Sequence, residues 1–267
     1  MLQPKNIIKW RIRYWLFFSI IFFTQFILGW LVNEKFLMTG KLHLPVPALI
    51  IAGPIFRSGG FFMLILLLTT ILLVGPAWCS HLCYIGAWDN LAAKNRKIQK
   101  PLSRKTILIL RYVMLAFVVL IAIVLNLCGA SGLTAAIFAI SFGVLGILVM
   151  IFFSAKKGFM VHCTMFCPIG SFVTLLTKIY PIKVKIDKKT CTMCSVCTND
   201  CKYHALQKSD LVAGKAGWNC TLCGDCIKSC KQNSIIFSFW GSTKNYWSYY
   251  IALVVAIHTV FIALARL

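Results

Sequence analysis

The chain has 267 residues, of which 60% are hydrophobic and 13% are charged. A soluble domain usually carries about 25% charged residues, so the composition favours a polytopic membrane protein with a small polar module. Lysine and arginine total 28 against 6 acidic residues, a formal net charge of +22. Such a charge can indicate nucleic-acid binding, but the basic residues lie in loops beside apolar segments, as membrane insertion requires. We therefore expect membrane lipid, and no nucleic acid, as a partner.

The first part of the chain alternates apolar segments with loops. The basic N-terminus is predicted to be cytoplasmic, and residues 14–32 have the length of a transmembrane helix. The next apolar stretch, residues 44–56, is broken by proline and too short to span. The sequence leaves open whether it lies in the interface or dips into the membrane. Residues 61–78 return through the membrane and end at Gly75-Pro76, where we expect the helix to kink or stop.

The later spans are bracketed by basic loops. Lysine and arginine at 94–105 and 156–157 predict cytoplasmic loops on either side of a third and a fourth span, residues 107–127 and 134–153. Residues 247–265 begin with an aromatic belt and are predicted to form a fifth span. The fold class is therefore mostly α, a polytopic membrane helix bundle.

Two segments that each follow an outside-to-inside span share one pattern. CSHLCYIGAW (79–88) and CTMFCPIGSF (163–172) both read Cys-x3-Cys-x-Ile-Gly-small-aromatic. We interpret the four core helices as a duplicated two-helix hairpin that delivers one such turn per copy to the cytoplasmic surface. Cysteines four apart on a helical turn point the same way. The thiols predicted to converge, called here the four-thiol site, are those of Cys79, Cys83, Cys163 and Cys167.

Four thiolates suit an Fe–S centre, Zn or Cu(I), so the four-thiol site is a candidate metal or redox site. The alternatives are that the thiols only pack at an interface or form a redox-active dithiol. His81, His162 and Asp89 flank this region, where they either accept protons from a quinol or are solvated at the surface.

Eight further cysteines occur in two copies of one spacing between residues 191 and 230. Each copy reads Cys-x2-Cys-x2-Cys-x3-Cys, and the intervening residues also match, CTMCSVCTNDCK against CTLCGDCIKSCK. In two-cluster ferredoxins the fourth cysteine of each copy ligates the other cluster. The sequence therefore predicts two [4Fe–4S] clusters. The first cysteine set is Cys191, Cys194, Cys197 and Cys230, and the second cysteine set is Cys220, Cys223, Cys226 and Cys201.

Zinc and disulfides are weaker interpretations of these eight cysteines. Zinc sites use cysteine pairs with a long spacer, and disulfides need an oxidising compartment, whereas the loop charges place this segment in the cytoplasm. One departure is that lysine replaces the usual proline after the fourth cysteine, at Lys202 and Lys231. We divide the chain into a membrane domain (1–180), a small α+β ferredoxin module (181–240) and a C-terminal transmembrane helix (241–267).

Some functions are disfavoured by what the predicted spans contain. All six acidic residues fall outside them, so a carboxylate relay for proton pumping is not expected. His258 is the lone histidine in a span, which disfavours a bis-histidine haem. The chain carries no Gly-rich dinucleotide fingerprint, so NAD(P)H is not an evident donor.

Repeated Cys-x3-Cys turns followed by a two-cluster ferredoxin resemble the NapH/NosR-type membrane-bound ferredoxins. The matching residues are Cys79, Cys83, Cys163, Cys167, Pro168 and the eight ferredoxin cysteines, and the resemblance covers most of residues 14–240. It implies a quinol-dehydrogenase-type subunit of the bacterial cytoplasmic (inner) membrane, with quinol as substrate, working with the quinone pool and with redox partner proteins of a respiratory complex. Tyr84 stands where the family pattern has proline, which puts the geometry of the first turn in question. The fifth span is also outside the simple four-helix pattern.

The sequence leaves three functions open. The first is an electron-transfer subunit between the quinol pool and a respiratory reductase system. The second is metal (copper) reduction or reductase maturation at the four-thiol site, which similar accessory proteins of oxidase assembly perform. The third is a scaffold whose ferredoxin module docks a partner. No catalytic residue is identified, and whether the chain is itself an enzyme stays open.

The two complete ligand sets predict about eight irons per chain, apart from any in the four-thiol site. Cys194→Ser removes one ligand of the first set, so the iron content of the anaerobically purified protein should fall while membrane insertion is retained. Metal analysis tests this directly. Zinc in place of iron in the wild-type protein would contradict the prediction.

Overall fold

The computed structural model describes residues 4–37, 44–94, 103–242 and 244–265. The middle of the predicted basic loop at 94–105 lies outside the described residues. Helices account for most of the described chain, and two strands form its sheet. The membrane domain contains helices α1 (Pro4–Leu31), α2 (Leu49–Arg57), α3 (Phe62–Val74), α4 (Tyr84–Ala92), α5 (Arg104–Leu127), α6 (Gly132–Val149), α7 (Ala155–Lys157) and α8 (Pro168–Thr177).

Four helical segments are long and apolar enough to cross a membrane, namely Ile8–Leu31, Phe62–Leu82, Arg104–Leu127 and Gly132–Lys157. The predicted first four spans are therefore confirmed as helices of spanning length. Their apolar residues are exposed to a large extent on the outer faces of α5 and α6. Such surface is compatible with contact to lipid rather than water.

The second span changes its winding where the sequence has Gly75-Pro76. The α-helix ends at Val74, Gly75 adopts a left-handed φ of +59°, and Gly75–Ala77 forms a single tight turn. A Cβ on Gly75 would lie 2.6 Å from the ring of Tyr180, so only glycine fits both the angle and the contact. The helix stops here as predicted, and the chain turns into the first cysteine segment.

The segment that the sequence left open, residues 44–56, contributes helix α2, which contains Pro54. This helix packs against α3 and α5. The side-chain amide of Asn126, near the end of α5, donates to the carbonyl oxygen of Phe56 at 2.6 Å. The segment therefore lies against the spanning helices.

The C-terminal segment forms helix α12 (Trp247–Ala265), which packs against α3. The Tyr250 hydroxyl donates to the carbonyl oxygen of Val74 at 2.7 Å, and the His258 ring meets Phe18 of α1 edge-on at 4.8 Å. The apolar part described, Trp247–Val260, is shorter than the four spanning helices. A fifth span therefore stays a prediction, although the helix itself is present.

The ferredoxin module is built on a two-stranded antiparallel sheet. Strands β1 (Ile182–Ile186) and β2 (Ile235–Phe239) pair with Ile182 opposite Phe239 and Ile186 opposite Ile235. Alternate residues of β1 are buried, as expected for a sheet with one face on the core. Between the strands lie the short helices α9 (Val196–Asn199), α10 (Lys208–Ala213) and α11 (Asp225–Ser229).

The ferredoxin module shares one hydrophobic core with the membrane helices. A largely buried ion pair joins Arg11 of α1 to Asp225 of α11 at 2.7 Å. Lys202, one of the lysines that replace proline, donates from Nζ to the carbonyl oxygen of Gly158 at 3.0 Å, and its own carbonyl accepts from Met160 N at 2.9 Å. The departure from the ferredoxin pattern thus serves to dock the module on the membrane domain.

A pair of reporter fusions tests the predicted topology. A reporter after Trp240 should behave as cytoplasmic, because the basic loops flank the module. One fused at the C-terminus should be external, because α12 would then have crossed the membrane. If both report the same side, α12 does not span and lies along the surface.

Candidate metal centres

The cysteines of the second set surround one small cavity. Its lining includes Cys201, Cys220, Cys223 and Cys226, and apolar residues such as Val184 and Leu206 complete the wall. Burial raises the pKa of the thiols of Cys201 and Cys220 to about 12. One cysteine of the first spacing thus meets three of the second, in the crossed arrangement that the spacing predicts.

The first cysteine set also converges, but closer to the surface. The pKa of the Cys197 thiol is raised to about 11 by burial and then by the nearby thiols of Cys230, Cys194 and Cys191. Cys194 is exposed, and a backbone N–H, that of Val196, lowers its pKa. The Cys230 sulfur lies 3.2 Å from the Ser234 hydroxyl. The two sets are therefore separate groups that differ in exposure.

The backbone repeats between the two copies where the sequence repeats. Three residues at equivalent positions in each copy adopt a left-handed φ, at +55°, +60° and +56° for Met193, Ser195 and His204, and at +53°, +81° and +51° for Leu222, Gly224 and Asn233. Positive φ is uncommon outside glycine and is characteristic of functional sites. Alternating right- and left-handed residues turn successive N–H groups to one side, forming the concave nests seen at many Fe–S sites.

These features fit iron–sulfur clusters better than single ions. Within the described residues, no group of three or more His, Cys, Asp or Glu side chains is placed to hold one metal ion. A [4Fe–4S] cluster binds each cysteine through a different iron, so its ligands are spaced more widely than those of one ion. The cavity lined by the four cysteines of the second set is the candidate site for one such cluster.

The two Cys-x3-Cys segments have the same local structure. Each is a single π-helical turn, Trp78–Leu82 in the first and His162–Phe166 in the second. Cys83 N donates to the carbonyl oxygen of Trp78 at 3.1 Å, and Cys167 N to that of His162 at 2.8 Å. Isolated π-turns are rare and frequent at functional sites. The predicted helical turn is thus present but wound more widely than an α-helix.

Tyr84 does not distort the first turn. Cys83 has φ −75° and ψ 115°, and Cys167 has φ −73° and ψ 120°, which is the extended conformation that a following proline requires. Tyr84 and Pro168 both open the next helix, where proline is favoured but its missing N–H makes no difference. The Tyr84 ring is used instead in a stack on Phe22 at 3.8 Å. The two turns are equivalent in backbone despite the substitution.

The glycine that both motifs share is required by the same close contact in each copy. A Cβ on Gly86 would lie 3.0 Å from the carbonyl oxygen of Cys79, and a Cβ on Gly170 would lie 2.9 Å from that of Cys163. Each glycine therefore lets its helix close against the first cysteine of its own turn.

The turns bring the four thiols within electrostatic range of one another. The pKa of the Cys163 thiol is raised well above its usual value by burial, then by Asp89, and then by the thiols of Cys83, Cys167 and Cys79. The pKa of Cys83 is raised to about 12 by burial and next by Cys167 of the other turn. The structure thus places the four predicted cysteines in one group.

The flanking polar residues are buried, which corrects the interpretation that they are solvated at the surface. Relative exposure is 8% for His81, 6% for His162 and 0% for Asp89. An Asp89 carboxylate oxygen accepts from Cys163 N at 2.9 Å, and burial raises the Asp89 pKa to about 6. Burial lowers the pKa of His162 to about 4. Their role as acceptors of quinol protons stays a prediction.

The four-thiol site adjoins the second cysteine set. A second small cavity is lined by Cys79, Cys163 and Cys220, and Tyr203 lines both cavities. The Tyr203 hydroxyl donates to the carbonyl oxygen of Cys79 at 3.1 Å. Sequence reasoning missed Tyr203, whose only signal is its position two residues after Cys201.

This combination of long apolar helices and grouped cysteines is compatible with a membrane-anchored iron–sulfur protein. A family model described as a 4Fe-4S binding domain matches residues 58–101 and 136–187, which contain the first and the second Cys-x3-Cys turn respectively. The match supports an iron–sulfur protein of the ferredoxin type and an electron-transfer role. No curated protein and no solved structure matches the chain.

Gly170→Ala should disrupt the second turn, because the added Cβ would meet the Cys163 carbonyl at 2.9 Å. We expect a loss of stability of about 1–3 kcal/mol, typical of overpacking, together with loss of any metal held by the four-thiol site. Thermal unfolding in detergent and metal analysis measure the two effects. Gly132→Ala is the matched control, since its Cβ meets open space. Equal behaviour of the two variants would contradict the geometric reason given for the motif.

Proposed function

We propose that the protein takes electrons from the membrane quinol pool and passes them to a redox partner of a respiratory reductase system. The observation that carries this proposal is the contiguity of the cysteine groups. The four-thiol site lies at the ends of spanning helices, and it shares a cavity with Cys220 of the second set. Membrane-side and module-side redox groups would therefore be neighbours.

Each cysteine group has a distinct place in the proposed function. The first and second sets would each hold one [4Fe–4S] cluster, and the four-thiol site would hold an additional Fe–S centre. A bound [4Fe–4S] cluster supplies reversible one-electron chemistry, at a potential tuned by hydrogen bonds and solvent exposure. The burial of Cys201, Cys223 and Cys226 excludes water from the second set.

The redox partner would meet the module at the first cysteine set. Cys194 is exposed there, as are the apolar side chains of Met193 and Val196. The exposed basic residues next to these cysteines are Lys188, Lys189, Lys228 and Lys231. A partner with an acidic docking surface fits this face, because complementary charge accelerates encounter. The second set is covered by the membrane domain and offers no comparable face.

The alternative is metal (copper) reduction or reductase maturation at the four-thiol site. It requires the thiols to bind a single ion. Within the described chain no such group is close enough to hold one ion. The matching family model is described as a 4Fe-4S binding domain. Both observations favour electron transfer over ion handling, and retained copper in the purified protein would favour the alternative.

Reduction of the purified protein by a quinol analogue tests the proposal. Replacing Cys79, Cys83, Cys163 and Cys167 together by serine should abolish quinol-dependent reduction while the EPR signals of the eight-cysteine clusters remain after dithionite. Each single Cys→Ser should do nearly the same damage, because residues that act as one unit are strongly non-additive. Full quinol-dependent reduction in the quadruple variant would overturn the proposed route.

A further inference from the structure

Arg111 is a buried arginine in the spanning helix α5, at a depth where a long basic side chain is expected to snorkel to the membrane surface. The structure shows the reverse. The residue is 3% exposed and its guanidinium turns inward, between α8 and the second Cys-x3-Cys turn. Keeping such a charge away from water costs several kcal/mol unless it is compensated.

The guanidinium hydrogen-bonds the second turn from Nε and Nη2, and helix α8, which follows that turn, from Nη1. Nε donates to the carbonyl oxygen of Thr164, Nη2 to that of Cys163 at 3.3 Å, and Nη1 to that of Gly170 at 3.5 Å and to the Thr174 hydroxyl. The planar guanidinium of arginine presents five N–H donors in fixed directions, whereas the lysine ammonium is a compact charge with three donors and no fixed fork. Arg111 therefore holds the Cys163 end of the turn and ties it to helix α8, which begins directly after Cys167.

The charge of Arg111 has no carboxylate partner among the described residues. The carboxylate ion pairs found there are those of Arg11 with Asp225 and of Arg104 with Asp210. Arg111 instead lines the small cavity that also contains Cys79 of the first turn and Cys163 of the second. These cysteines belong to both turns of the four-thiol site, so the charge sits where the two turns meet.

The first turn provides a comparison within the same chain. Arg11 donates to the carbonyl oxygen of Ser80 at 2.8 Å, the residue after Cys79, and Arg111 donates to that of Thr164, the residue after Cys163. The two arginines thus hold equivalent carbonyls, but Arg11 is neutralised by Asp225. The unneutralised arginine is the one beside the thiols.

We propose that Arg111 is a positioning residue of the four-thiol site, which clamps the second turn and supplies the positive charge that balances metal-bound thiolates. The inference rests on the proposed metal-binding role of that site. A compensated thiolate centre would be easier to reduce than one without the cation, so loss of the charge should lower its reduction potential. Arg111 also lies over the Trp218 ring of the ferredoxin module at 5.7 Å, which ties this charge to the docked module.

The test uses the full-length protein, purified anaerobically, with Arg111→Met, Arg111→Lys and the control Lys105→Met, an exposed cation on the same helix. Iron, copper and zinc content is measured, and EPR is recorded during a dithionite titration. The signal of the four-thiol site is the one lost in the quadruple Cys→Ser variant. Because the reductant is chemical, the result does not depend on whether quinol is the physiological donor.

Arg111→Met should either lose the metal that the quadruple variant loses or retain it at a lower reduction potential, and Lys105→Met should do neither. Arg111→Lys keeps the charge without the fork, so its potential should stay near that of the wild type while some metal is lost. Unchanged metal content and potential in Arg111→Met would overturn the proposal. If Arg111→Met does not fold, an Arg111→Lys protein with full metal content and a lowered potential would overturn it. A quadruple variant that loses neither metal nor signal would remove the premise.

Discussion

Hydrogen bonds between the ferredoxin module and the first Cys-x3-Cys turn hold the second cysteine set against the four-thiol site. The Tyr203 hydroxyl donates to the carbonyl oxygen of Cys79, and the Ser80 hydroxyl donates to that of Thr221 at 2.8 Å. Arg11 adds a bond to the Ser80 carbonyl and the ion pair with Asp225. The two bonds at Ser80 are buried and the other two contacts are partly buried, so water competes little for them, and removal of one partner would leave an unsatisfied polar group. The module is thereby a fixed part of the bundle, unlike a domain on a flexible tether.

The two Cys-x3-Cys turns have the same backbone conformation but different charged and polar neighbours. Both turns share the π-helical winding, the extended second cysteine and the glycine that faces the first cysteine. Their surroundings differ, since the first turn lies under the docked module and the second receives Asp89 on Cys163 N. If the surroundings of the two turns were identical, each turn would have the same charged neighbours. The flanking residues have therefore diverged while the two turns keep the same backbone.

The spans and the cysteine motifs are predictable from the sequence because each depends on local information. Apolar length reveals a spanning helix, and Gly75-Pro76 marks its end, as the structure confirms. The inward direction of Arg111 and the burial of Asp89 are not predictable, because they depend on residues far along the chain, such as Thr164 and Cys163. The π-helical winding of the two turns is not predictable either, because a Cys-x3-Cys spacing is compatible with an α-helical turn as well as with a π-helical turn.

The chain has a net charge of +22 and only six acidic residues, so the positions of those acids decide which buried charges are balanced. Asp225 and Asp210 neutralise arginines, and Asp89 accepts an N–H beside the four-thiol site. Asp187 and Asp200 are exposed and leave the lysines around the first cysteine set in excess. With these acids placed elsewhere, Arg111 has no carboxylate partner among the described residues and contacts carbonyl oxygens, the Thr174 hydroxyl and the cavity that contains Cys79 and Cys163. Metal binding ionises thiols, so under the proposed function the thiolates of the four-thiol site would balance this buried charge.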